Sequence, residues 1–411
     1  MFMKNHNCFL VIFTAAIFFV GNVRAQWVQV ADFAGSERDD LVAFTCQERA
    51  FAGSGMAIGY QVTNDFYAYD DGSNQWSGIA DLPGAARQYA FSFSFTTNAC
   101  VFAGISQTGS DLKDGYLYNP QTNQWTSIAP YPGNGSRACA AATLHTNGFA
   151  GLGRNNTNQL FNDWWQYDVI NNTWTQKASF PGLARNLTAC FEGNGFIYVI
   201  GGIGENDVAL GDLWQYNPQT NSWLSISSLL STPTGSMAHC KVKYSGAMVG
   251  GFDGLSNYTD NALCFDAFNN SLNSLPPIPN QGSRKGAKAF SLNGALYITC
   301  GITADNTRLK STWKYDLVNA VTANHSFSEW FHLHPNPAES DLFLTIQSTT
   351  QTETGTYYIL QQDGTEISSG VIAAHNSTIK INTESLAAGC YLLKIIFAGH
   401  VAIKKIVIYR H

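Results

Sequence analysis

Apolar and polar positions alternate in short bursts along this chain. An aromatic-rich run, Gln88 to Phe95, is followed by the apolar Ala99 to Gly104, which glycine stops. A polar loop, Ser106 to Asp114, leads to Gly115–Tyr118, and Asn119-Pro120 ends that run. Gln121-Thr122-Asn123 reads as a turn and Trp125 to Ala129 as one more strand, before Pro130 and Pro132-Gly133 break the chain. No segment sustains a helical period. The pattern predicts units of four short strands with turn chemistry between them.

The unit recurs. Trp27, Trp76, Trp125, Trp174 and Trp223 stand 49 residues apart, and Leu272 keeps the beat after the tryptophan is lost. Tyr69, Tyr118, Tyr167, Tyr216, Phe265 and Tyr315 keep the same time, with a last step of 50. A four-stranded sheet repeated at this period predicts the blades of a β-propeller. The units resemble kelch repeats. The glycine pair of that family stands at Gly201-Gly202 and Gly250-Gly251, and is reduced to one glycine at Gly53, Gly104, Gly151 and Gly301. Its tyrosine-plus-turn signature reads Tyr69-Asp70, Tyr118-Asn119-Pro120, Tyr167-Asp168, Tyr216-Asn217-Pro218, Phe265-Asp266 and Tyr315-Asp316. The large rings are expected to fill the space between blades. The resemblance covers residues 26 to about 318, and the six tyrosine-type and six tryptophan-type strands predict six blades. No tryptophan strand follows Tyr315, so Trp27 to Ala31 is expected to complete the sixth blade as its outer strand, which removes the loose edge.

After Asp316 the pattern changes. Residues 319–331 read as a linker and 332–411 as a small β-sandwich, so the fold class expected is all-β: a six-bladed kelch-type β-propeller followed by a C-terminal β-sandwich. Apolar residues alternate at Leu342, Leu344 and Ile346, and Asp363-Gly364 reads as a hairpin turn. This segment resembles the type A C-terminal sorting domain of the type IX secretion system. The likeness rests on Pro335-Asn336-Pro337, Asp363-Gly364, Leu386 with Gly389-Cys390-Tyr391, and Lys404-Lys405-Ile406-Val407. Cys390 departs mildly from the family's usual Ile or Val. The resemblance implies the secretion machinery as a partner of 332–411, and export across the outer membrane of a Bacteroidetes-type bacterium through the periplasm to the surface or medium.

Composition agrees with a turn-rich, exported all-β protein. Of 411 residues, 13% are charged and 37 are glycine, with a net charge of −6. No basic cluster suggests a nucleic-acid partner. Lys4, the apolar run Phe9 to Val20 and Val23-Arg24-Ala25 read as a signal peptide over 1–25, leaving Gln26 first. No other stretch is apolar and long enough for a membrane span. Cys139, Cys190 and Cys240 recur near the repeat spacing and are expected to be free, buried thiols rather than bridged pairs.

Chemistry is harder to find. Arg38, Arg87, Arg137, Arg185 and Arg284 recur at the start of successive units, and a ring of arginines at a channel mouth could hold an anionic sugar or carboxylate. The fifth unit offers Gly235 and Ser236 instead. Galactose oxidase-like kelch proteins hold copper with two histidines, but His145, His239, His325, His332 and His334 lack that pattern, so no metal or cofactor is expected. The sialic acid mutarotase family, also kelch, uses arginines and acids; Glu48, Glu192 and Glu205 are candidate acids here. Two readings follow. The propeller is a binding module for a protein or glycan, or it is a sugar-acid epimerase. A glutamate converging with two or more repeat arginines would favour the enzyme.

Overall fold

The computed structural model describes residues 26–410 apart from 229, 243–244, 268–269, 280–281, 318–330, 347–353, 362–363, 374–377 and 398–399. The expected signal peptide, most of the expected linker and Asp363 of the expected hairpin turn lie outside the described residues. Phe331, placed in the linker by sequence, is buried and opens the first strand of the tail.

Among the described residues, six four-stranded antiparallel sheets recur at the repeat period. The second blade comprises Phe91–Ser94, Ala99–Phe102, Gly115–Asn119 and Gln124–Ile128. The innermost strands, from Val42–Cys46 of the first blade to Lys288–Leu292 of the sixth, neighbour one another in a closed cycle. Trp27–Val30 pairs with Thr312–Asp316, with Trp27 opposite Tyr315. The beginning of the chain thus supplies the outer strand of the last blade.

Two rings of hydrogen bonds reinforce this closure. In each blade the second strand ends in two consecutive left-handed residues: Ser54-Gly55, Ala103-Gly104, Leu152-Gly153, Gly201-Gly202, Gly250-Gly251 and Cys300-Gly301. The second is glycine every time. Its φ is +82° to +107°, and a Cβ there would lie 2.7–3.0 Å from a backbone oxygen. Each of these glycines donates its N–H to a carbonyl of the next blade, at Arg87, Ser136, Arg185, Thr234, Arg284 and Arg38 in turn, at 2.7–3.0 Å. The structural glycines of the first and third units are therefore Gly55 and Gly153, two residues beyond the Gly53 and Gly151 expected from sequence.

A second ring lies at one end of the central bore. Tyr89, Ala138, Leu187 and Ser236 each donate a backbone N–H to the matching residue one blade back, beginning with the carbonyl of Asp40. Asp40 donates to the Gly286 carbonyl, and Gly286 to the Ser236 hydroxyl, closing the circle at 2.7–3.1 Å. All six residues are left-handed, with φ between +52° and +62°.

The tail packs Phe331–His334, Asp341–Ile346 and Thr378–Asn382 as one sheet. The other sheet is Glu366–Ile372, Gly355–Leu360, Gly389–Phe397 and His400–Ile408. Leu342, Leu344, Leu393, Ile395 and Ile406 are fully buried in its core. No helix among the described residues is long and apolar enough to cross a membrane.

Candidate functional site

The repeat arginines are drawn inward. Arg38, Arg87 and Arg185 are at most 1% exposed, and Arg284 is 2%. Each donates Nε to the carbonyl two residues before it and Nη1 to the carbonyl sixteen residues after it. In three blades the fork then grips an aspartate in both directions: Asp65 at 2.6 and 2.9 Å, Asp114 at 2.8 and 2.7 Å, Asp212 at 2.5 and 2.9 Å. In the sixth blade Ser311 takes the place of the acid, and burial pushes the Arg284 guanidinium down to about 10. Arg137 belongs to another pattern. The third position of the beat is Ser136, and Arg137 turns to Asp111 at 2.9 Å and to the Gly109 carbonyl. Asp163, the acid that matches Asp65 and Asp114, is held instead by Asn134 N and Trp165 Nε1.

All five arginines expected at the channel mouth are buried. A guanidinium taken out of water needs partners for its donors, and for Arg38, Arg87 and Arg185 the blade's own carbonyls and an aspartate supply them. None of the five arginines lines the bore.

The bore itself is a cavity of about 1240 Å³ walled by the innermost strands. At one end stand the exposed hairpin turns, with Gln47, Glu48, Thr96, Thr97, His145 and Asn293. The wall there is rich in neutral hydroxyl and amide groups, continued inward by Thr45, Ser94, Thr143 and Ser291. Glu192 is tied down by an ion pair with Lys241 and by the Gly195 N–H at 2.9 Å. Glu205 sits on an exposed loop away from the cavity.

At the other end, beside the inner hydrogen-bond ring, the cavity is lined by Asp40, Tyr89, His239 and Lys288. Burial, helped by the charge of Asp39, pushes the Asp40 carboxyl up to about 8. The Asp40 charge, with burial, pushes its hydrogen-bond partner Tyr89 well above the usual phenol range. Burial lowers His239 to about 4, aided by Lys288, and lowers the Lys288 ammonium too. His239 sets its Nδ1 3.0 Å from the Met237 carbonyl, so that nitrogen carries the proton and Nε2 is left as an acceptor. Among the described residues the Lys288 ammonium makes no side-chain hydrogen bond or ion pair, and the charge acting on it is that of Asp40. Groups with acidities moved this far, gathered in one cavity, mark a functional-site candidate.

Sequence reasoning passed over this quartet because no motif joins its members. Asp40 and Lys288 are 248 residues apart in the chain. The one available signal was position on the beat: Asp40 and Tyr89 are 49 apart, each two residues after a repeat arginine.

Comparison with known proteins agrees with this architecture. Residues 184–230 match the kelch motif, and residues 332–409 match the secretion system C-terminal sorting domain. The solved structure of YjhT superposes with a TM-score of 0.60 over 69% of this chain and 95% of that one, at 14% identity, a likeness of fold alone. No curated protein matches the chain. The molecule is a kelch-repeat β-propeller carrying a C-terminal sorting domain, sent by the type IX secretion system to the cell surface or the medium.

Proposed function

We propose that the exported propeller is a non-catalytic binding module that takes a small polar molecule, such as a sugar or the end of a glycan, into its axial cavity. The observation that carries this reading is the cavity's wall. It is a preformed space of about 1240 Å³ whose open end offers hydroxyl and amide groups, with Glu48 and the Glu192–Lys241 pair as its charged members, a lining that suits a polyhydroxylated ligand. The epimerase reading loses its expected constellation. Glu48 and Glu192 reach the cavity, but no repeat arginine joins them.

A binding screen of the mature chain against neutral sugars and short glycans tests the proposal. Thr45→Trp places an indole in the bore and is expected to abolish binding while leaving the melting temperature nearly unchanged. Binding that survives this plug would move the ligand site to the outer loops.

A further inference from the structure

The far end of the cavity has a different character from its mouth. Lys288 brings a cation that no described side chain neutralises by contact. Lys241, the other cavity lysine, is already paired with Glu192. Asp39 faces the same corner but is spent on Arg308 at 2.6 Å. Lys285, which also acts on Asp40, lies over the rings of Phe252 and Tyr258. Arg154 reaches this corner only through its charge on Tyr89. Other polar groups lining this end are the Asp40–Tyr89 pair, the Nε2 acceptor of His239, the Thr188 hydroxyl and the Ser236 hydroxyl, which already accepts the Gly286 N–H. A lone ammonium in a confined, poorly solvated space favours an anion. An acceptor nitrogen beside it favours a hydroxyl on the same molecule.

We propose that this end of the cavity binds a small carboxylate carrying a neighbouring hydroxyl, with Lys288 on the carboxylate and His239 Nε2 accepting the hydroxyl. The proposal rests on the reading of the cavity as a ligand site and adds the ligand's charge. Its pH dependence has a definite sign. Asp40, held up to about 8, is neutral at lower pH and leaves Lys288 to the ligand. As pH rises through that value the Asp40 carboxylate forms, competes for Lys288 and repels the anion. Deprotonation of Lys288, whose own acidity burial has raised, acts in the same direction.

The test uses the full mature chain and three probes by calorimetry or ligand-observed NMR: lactate, propionate and the uncharged methyl lactate. Lactate is expected to bind best, propionate more weakly and the ester least. Lys288→Met should weaken lactate about 10- to 100-fold, the range of one charge-assisted hydrogen bond, and Lys288→Arg should retain most of it. Wild-type affinity should fall several-fold between about pH 6.5 and about pH 9.5, and Asp40→Asn should remove the part of that fall centred near 8. Equal binding of ester and acid, or lactate affinity indifferent to Lys288→Met, overturns the proposal. If neutral sugars bind and Thr45→Trp blocks them while lactate does not bind, the cavity reading stands and this one falls. If no probe and no sugar enters the bore, both fall.

Discussion

One asparagine oxygen serves both sides of a blade boundary. Asn74, Asn123, Asn172 and Asn221 each accept the tyrosine hydroxyl of their own blade at 2.8–2.9 Å. Each also accepts a backbone N–H of the chain entering from the blade before, at Ala31, Ala80, Ala129 and Ala178. The repeat tryptophan completes the stitch by donating its indole N–H to the carbonyl of that same alanine. All four asparagines are left-handed, with φ of +51° to +53°, a conformation asparagine tolerates better than most residues. Asn172→Ala is expected to cost roughly 2 kcal/mol in urea unfolding, about 1 for each hydrogen bond lost. The arginine clamps give a second prediction. Burial alone would push the carboxyls of Asp65, Asp114 and Asp212 up, but the hydrogen bonds and charge of Arg38, Arg87 and Arg185 outweigh it and hold all three below the usual range. Carboxyls depressed in the folded state stabilise it fully above their unfolded value of about 3.9, and that stability is lost as pH falls through the lower folded values. Stability should therefore drop steeply below about pH 4, with a smaller drop in Asp114→Asn.

Within an element, register decides what a residue does. Strand positions were legible because period-two alternation and turn residues are local properties. The beat of the rings was legible because six copies average out local exceptions. In two units the sequence points to the wrong glycine, because Gly53 and Gly151 end the second strand while Gly55 and Gly153 follow two residues later, and only the left-handed backbone of the latter marks them. The arginines were legible as a series but not in their destination, since spacing does not tell a mouth from a clamp. Arg137 shows this most plainly, being one residue off a beat that runs through Ser136. The three cysteines near the beat also differ in register, yet all eight cysteines of the described chain are free and none is exposed. The left-handed glycine that ends the second strand supplies the test at this scale. Gly104→Ala sets a Cβ 2.7 Å from the Gln88 carbonyl at a φ of +100°, and should destabilise the fold by about 1–3 kcal/mol. Ala103→Gly, one residue earlier at a φ of +61°, should be close to neutral or mildly stabilising by differential scanning calorimetry.

At the scale of the whole molecule, both ends of the chain act as fasteners. Trp27 sits 5.1 Å from the Tyr315 ring and donates its indole N–H to the Pro276 carbonyl at 2.7 Å, reproducing in the sixth blade the stitch made by tryptophan elsewhere. Trp27→Ala should cost about 3–5 kcal/mol, and because it opens the seam it should loosen the first and sixth blades first, as hydrogen exchange would show. The tail is fastened by its own last strand. Asn336 of the Pro-Asn-Pro segment donates Nδ2 to the Lys405 carbonyl at 2.9 Å and accepts the Val407 N–H at 2.8 Å, so its amide pairs with the final strand as a peptide group would. Ala338 continues the pairing with Val407 and Tyr409. Two motifs that lie about 70 residues apart in sequence are thus one structural unit, and a sorting domain read by an export machine must present that unit intact. Asn336→Asp keeps the acceptor for Val407 but removes the donor and sets a carboxylate against the Lys405 carbonyl; Asn336→Ala removes both bonds. Export measured in the secreting cell should fall in both variants while the propeller, purified from the periplasm, keeps its wild-type melting transition. Normal export of Asn336→Ala would separate the sequence motif from the fold of the tail and show that the machinery reads the linear segment alone.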